Sequence, residues 1–259
     1  MHVLVLLPPS ETKRDGGDGG PVDLATLSWP IQLRARREVT KALAALGRNR
    51  DECARILKLS AKQLDEVVRN RTVLKSATMP AIDRYTGVIF DALDALSLPA
   101  RAREFLRDHV AIGSAAFGLV RAMDLIPAYR LSFDSRLPGL KASSLKHAWA
   151  QAGTAALAAE GDFILDARSE GYASLAPLPN PANAIYLRVV TRGDGGAVRA
   201  LNHFNKKGKG EFVRALALDG ARAGNISSAQ DLIEWGAANG WEMAFGAPGE
   251  LNLFVSGVL

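Results

Sequence analysis

The stretch His203–Leu218, HFNKKGKGEFVRALAL, sets Lys206, Lys207 and Lys209 around Gly208 and Gly210, directly ahead of a run with helical periodicity. Glycines let a backbone approach a ligand closely, and lysines supply charge. A helix starting at Glu211 would therefore aim free N–H groups at an anion, with Gly210 and Arg214 beside it. The spacing is that of neither a Walker A loop nor a dinucleotide fingerprint. A solvated turn in front of a helix uses the same residues equally well.

A second stretch, GSAAFGLVRAMDLIPAYR, embeds Ser114, Arg121, Asp124, Tyr129 and Arg130 among apolar neighbours. An arginine in such surroundings needs a partner. Asp124 would make the pair structural; otherwise an arginine is left to take phosphate or carboxylate bidentately. A third, PPSETK, places Ser10, Glu11 and Lys13 at the end of an apolar run, and strand ends are where α/β sheets bind ligands. ARSEGY places Glu170 after another strand, facing a cleft or capping a helix. Should the chain be an enzyme, acid–base work falls to Ser10, Glu11, Asp124 or Glu170. Spacing alone supports no nucleophile–histidine pair. Asp15 and Asp18 lack the further carboxylates of a calcium loop, and His2, His109, His147 and His203 are dispersed, so no metal or cofactor is expected.

The elements that must position these groups are a mixture of strands and helices. Val3–Leu7 reads as a buried strand closed by Pro8-Pro9, followed by a long glycine-rich loop. Helical periodicity runs from Ile31 to about Leu96, with Ser60 as a cap and Gly87 inside. HVAIGSAAFGLVRAMDLIPAYRLSF reads as a short strand, a small-residue turn, a short helix, and an alternating run after Pro127. The segment from Ser143 to Gly161 is a helix; DFILDA and AIYLRVVT are strands, with GDGG as a hairpin turn after the second. One helix and two strands close the chain. With 259 residues, 48% hydrophobic, and no linker or repeat, a single α/β domain over 1–259 with a mixed sheet fits, the first strand pairing inside it. Cys53 is the sole cysteine and no run approaches the ~20 apolar residues of a membrane span, so a reduced, cytoplasmic protein with no membrane partner is expected. The net charge of +5 is compatible with an anionic partner but does not require one. Oligomeric state is not encoded in these patterns.

Taken in order, LPPSET, YTGVIFDAL, GSAAFGLVRAMDLIPAYRL, LKHAW and HFNKKGKGEFVR resemble the YaaA peroxide-stress family over nearly the whole chain. The resemblance implies a mixed α/β fold with a positively charged cleft and a helix-hairpin-helix element. It further implies binding of duplex or distorted DNA, and protection from hydrogen peroxide through lowered free iron. Tyr85, Thr86 and Gly87 match the family's Tyr-Thr-Gly; Ser114, Gly118, Arg121, Asp124, Tyr129 and Arg130 its central motif; Lys206, Lys207, Lys209, Gly210 and Arg214 its basic segment. Glu11 stands where the family has lysine, with Lys13 close by, and Ala115 and Ala122 replace a glycine and a proline. The implied cleft is lined by Lys13, Arg121, Arg130, Lys206, Lys207, Lys209 and Arg214, with Ser114 among its contacts. A nucleotide-like ligand of an enzyme is the alternative occupant.

Overall fold

Val3–Leu7 forms β1 with all five residues buried, as a strand covered on both faces requires. The computed structural model describes residues 2–160, 163–192, 198–200 and 204–255. The glycine-rich stretch after β1 is not all loop: Gly19–Pro21 forms β2 and pairs with β3 (Ala77–Pro80), which pairs with β6 (Leu125–Ile126) in a small second sheet. Between β2 and β3 lie α1 (Leu33–Leu46), α2 (Arg50–Ile56) and α3 (Asp65–Arg71), with Ser60 N bonded to Gln63 Oε1 at 3.0 Å in the turn before α3.

The helical pattern around Gly87 breaks in two. α4 (Ala81–Arg84) and α5 (Val88–Leu93) flank Gly87, whose φ of 95° is open to glycine without steric cost. A Cβ there would lie 3.1 Å from Ser10 Oγ and 3.4 Å from Thr12 Oγ1. Gly87 thus seats the loop that follows β1. Thr86 N donates to Thr12 O, Thr12 Oγ1 donates to Thr86 O, and Lys13 bridges to Tyr85.

α6 (Ala100–His109) leads into β4 (Val110–Ser114), which folds back on β5 (Gly118–Arg121) as a β-hairpin. The small-residue turn forms as expected, Ser114 Oγ accepting the N–H groups of Ala116 and Phe117 and Gly118 taking φ 71°, but the short helix expected after it does not, because Gly118–Arg121 pairs with β4. The alternation over Tyr129–Phe133 is likewise not a strand. α7 (Leu145–Glu160), β7 (Phe163–Asp166), α8 (Glu170–Ala173), β8 (Ala184–Arg192) and β9 (Val198–Ala200) come next. α9 (Phe204–Leu218), α10 (Gly220–Ala223), α11 (Ala229–Ala238), β10 (Glu242–Phe245) and β11 (Glu250–Phe254) complete the chain. The expected GDGG turn, Gly161 and His203 lie outside the described residues. β8 and β9 pair antiparallel.

Among the described residues the main sheet runs β10-β11-β8-β7-β1-β4-β5, with β9 also on β8. β4, β1, β7, β8 and β11 are mutually parallel, and β5, β9 and β10 run against them, so this is a mixed sheet with β1 inside it. From β1 the chain crosses to β4 on one side; from β7 it moves on to β8 on the other. Order therefore reverses between β1 and β7, and such a reversal leaves a crevice beyond the carboxyl ends of the two strands. The loops 8–14 and 167–170 border it. Among the described residues no helix is long and apolar enough to cross a membrane.

Candidate functional site

Loop 8–14 brings Lys13 into the crevice, 7% exposed. Its Nζ donates to Ser10 O at 2.8 Å and Glu11 O at 3.2 Å, and lies 4.1 Å from the ring centroid of Tyr129. Burial lowers its pKa to about 7, with Glu66 and Glu11 pulling upward and Arg130 and Arg69 downward. Beneath it runs a line of hydroxyls: Ser114 Oγ is 2.7 Å from Tyr129 Oη, which is 2.9 Å from Tyr85 Oη. Ser114 Oγ already accepts two backbone N–H groups, so it must donate to Tyr129, and Tyr129 in turn to Tyr85. Both tyrosines are held in the neutral form by burial. Ser114 is 1% exposed. It orders this network rather than facing a ligand.

Glu11 extends outward and pairs with Arg130, Nη2 to Oε2 2.6 Å, while Asn70 clamps the Arg130 backbone through two 2.8 Å bonds. The pair sits on the wall of a groove of about 700 Å³ lined also by Arg55, Lys58, Ser132, Phe133, Asp134, Ser135 and Arg136, so four cations face two carboxylates there. A second hollow of about 800 Å³ shares Arg55, Phe133 and Arg136. Arg55 and Lys58 come from the end of α2, where Leu59 N reaches back to Ala54 O and Lys58 takes φ 53°. Arg55, Lys58 and Arg136 are exposed and make no ion pair among the described residues. Each is a cation whose charge is free for an anion.

The other expected site residues do not line this groove, though Ser10, Glu170 and Lys209 reach the loops that border the crevice. Lys206, Lys207, Gly208, Lys209 and Gly210 all lie inside α9, not in a loop ahead of it, so no glycine cradle forms there. A Cβ on Gly210 would fall 2.2 Å from Ile89 O: the glycine exists so that α9 can press against α5. Lys209 points inward, 5% exposed, and donates to Ala167 O at 2.9 Å. Burial lowers its pKa to about 8, against the pull of Asp166. Lys206 is exposed, and Lys207 reaches Glu211 at 3.3 Å. Arg214 is spent on the carbonyls of Leu93 and Asp94 at 2.8 and 2.9 Å. Arg121 pairs with Ala111 in the hairpin register, three residues before Ser114, and so lies about 10 Å back toward the opposite end of the sheet. There its guanidinium binds Glu160 at 2.5 Å rather than Asp124. Asp124 instead accepts Ser28 Oγ at 2.8 Å and the Arg121 N–H at 2.9 Å, a turn-fixing role. Glu170 opens α8, exposed beside the crevice, and Ser10 is half-buried with its Oγ 3.1 Å from Thr12 Oγ1.

Sequence reasoning missed Arg55, Lys58, Phe133 and Arg136, since only the fold joins α2 to the chain after Arg130. It also missed the buried pair Arg168–Asp166, bonded at 2.9 and 2.8 Å. Two residues apart just after β7, that pair could have been suspected from DAR alone.

The fold and site together define an α/β protein whose strand-order reversal opens beside a cation-lined groove. The family model described as peroxide stress protein YaaA matches residues 3–244. A UPF0246 protein of Corynebacterium efficiens is 41% identical over 256 residues, 98% of this chain and 100% of that one. Another from Corynebacterium glutamicum is 40% identical over 234 residues, 90% and 92% of the two chains, and one from Streptomyces coelicolor 37% over 219 residues, 84% of each. The chain belongs to the YaaA peroxide stress protein family.

Proposed function

We propose that this chain is a DNA-binding protein of the peroxide stress response, holding the phosphate backbone in the groove between α2 and the segment after Arg130. One observation carries the reading: Arg55, Lys58 and Arg136, unpaired, join Arg130 on a single concave surface. Concentrated positive charge in a groove raises the local concentration of a polyanion and exchanges counterions for phosphates. The lysines of α9 are not the grip. Any effect on free iron is indirect in this reading, following from DNA contact. The test is a salt series with duplex DNA. Wild-type affinity falls steeply with salt, and Arg55→Ala/Arg136→Ala lowers the log–log slope by about 2 units, whereas Lys206→Ala/Lys207→Ala leaves it unchanged. An unaltered slope in the arginine variant refutes the groove as the site.

A second reading, an enzyme acting on a nucleobase, nucleotide or nucleic-acid end, draws on one observation. Lys13, its pKa lowered to about 7, sits with Ser10, Glu11 and Glu170 around the crevice. An amine in that range can exchange protons near neutrality. Turnover of a nucleic-acid substrate that survives Lys13→Met excludes Lys13 from that role.

A further inference from the structure

Phosphate contact does not call for an exposed aromatic, yet the groove holds one. Phe133 is 37% exposed and lines both hollows, as do Arg55, Arg136 and the carboxylate of Asp134. The ring is propped from the crevice side. A methyl on Gly171 would lie 2.4 Å from its Cε2 and Cζ, and Tyr172 meets it edge to face with centroids 5.3 Å apart at 63°. Glycine at 171 lets the ring tip rest on the backbone after β7, and Tyr172 fixes its tilt. The ring is therefore held in place while remaining open to both hollows. Ser132 and Ser135 add hydroxyls to the same wall.

An anchored aromatic ring that shares its hollows with unpaired guanidinium groups matches a ligand that joins a planar ring to a phosphate. A base gains by stacking on the ring, and guanidinium groups take the phosphate oxygens through paired N–H donors. Inorganic phosphate would leave Phe133 unused, and a paired duplex keeps its bases away from it. We propose that Phe133 is the base-stacking element of a subsite for one unpaired nucleotide, with Arg55 and Arg136 on its phosphate. This rests on the groove being the polyanion site and specifies what part of the groove reads beyond charge. The nucleotide is either free or part of a single strand.

Calorimetric titration of the full chain with adenosine 5′-monophosphate, inorganic phosphate, adenosine and a short oligothymidylate separates the possibilities. The mononucleotide binds at least tenfold more tightly than inorganic phosphate. Phe133→Ala weakens the mononucleotide and the oligothymidylate by about 5- to 100-fold, leaves inorganic phosphate unchanged, and Phe133→Trp restores binding. Gly171→Ala, which displaces the ring without removing it, acts in the same direction. Oligothymidylate that binds while the mononucleotide does not, with the loss still on Phe133→Ala, identifies the strand as the source. The subsite is overturned if Phe133→Ala alters neither nucleotide ligand, or weakens inorganic phosphate equally. Duplex binding with an arginine-dependent salt slope, alongside nucleotide binding indifferent to Phe133, sinks the stacking subsite and leaves the groove standing. If neither DNA nor phosphate binds, both fall.

Discussion

The lysine-rich start of α9 and the wall of the groove are both basic, yet they use charge in opposite ways. On α9 the cations are adjacent in sequence, and the helix distributes them around its axis: Lys206 and Lys207 outward, Lys209 and Gly210 inward. In the groove they come from positions about eighty residues apart and converge. Density along a chain measures composition, whereas availability depends on what the fold leaves unpaired.

That contrast can be broken most sharply at the inward side. Asp166→Ala strands the Arg168 guanidinium without its partner at full burial, and thermal or urea unfolding will show a loss of about 3–5 kcal/mol. Gly210→Ala adds a methyl against Ile89 O; the helix-propensity gain of roughly 1 kcal/mol is outweighed, and a net loss of about 1–3 kcal/mol is expected. An undiminished stability in Gly210→Ala would mean that α9 is not pressed against α5 as described, and in Asp166→Ala that the Arg168 guanidinium is not held by that carboxylate.

Lys13 supplies a pH test. Its folded pKa of about 7 lies below the unfolded value near 10.4. Between those values the unfolded chain binds more protons, so stability rises with pH from about 7 to about 10; below 7 both states are charged and the burial penalty is complete. Lys209, lowered to about 8, acts in the same direction over a narrower span. Melting temperatures across pH 6 to 10 will show a rise in wild type that flattens in Lys13→Met and flattens further in Lys13→Met/Lys209→Met. A rise undiminished in both variants would place its origin elsewhere. Lys206→Ala/Lys207→Ala, the mildest change, moves stability by less than about 0.5 kcal/mol; a larger shift would mean that the outward face of α9 is also packed.

Much of the scaffold was legible because β1, β7, β8 and α7 announce themselves by continuous apolar runs or clear periodicity. Gly87 was legible as a position needing a reason, but periodicity could not show that the helix breaks there, since the reason is the loop after β1 pressing on it. In the hairpin Val110–Arg121 the first strand and the small-residue turn were legible, but the run after Gly118 reads as readily as a helix, and only its pairing with β4 decides it. Lys13 could be suspected from polarity at a strand end, and Arg130 from its charge among apolar neighbours. Arg55, Lys58, Phe133 and Arg136 could not, for their significance lies in being neighbours across the fold.

Lys58 adopts a left-handed backbone at the close of α2, a place where glycine sits at ease and a side chain costs about 1 kcal/mol. Lys58→Gly should consequently melt higher and, under the DNA-binding function proposed above, hold duplex DNA less firmly. The residue that would make this corner most robust is not the one the chain carries, and the charge kept there is what the proposed groove would use.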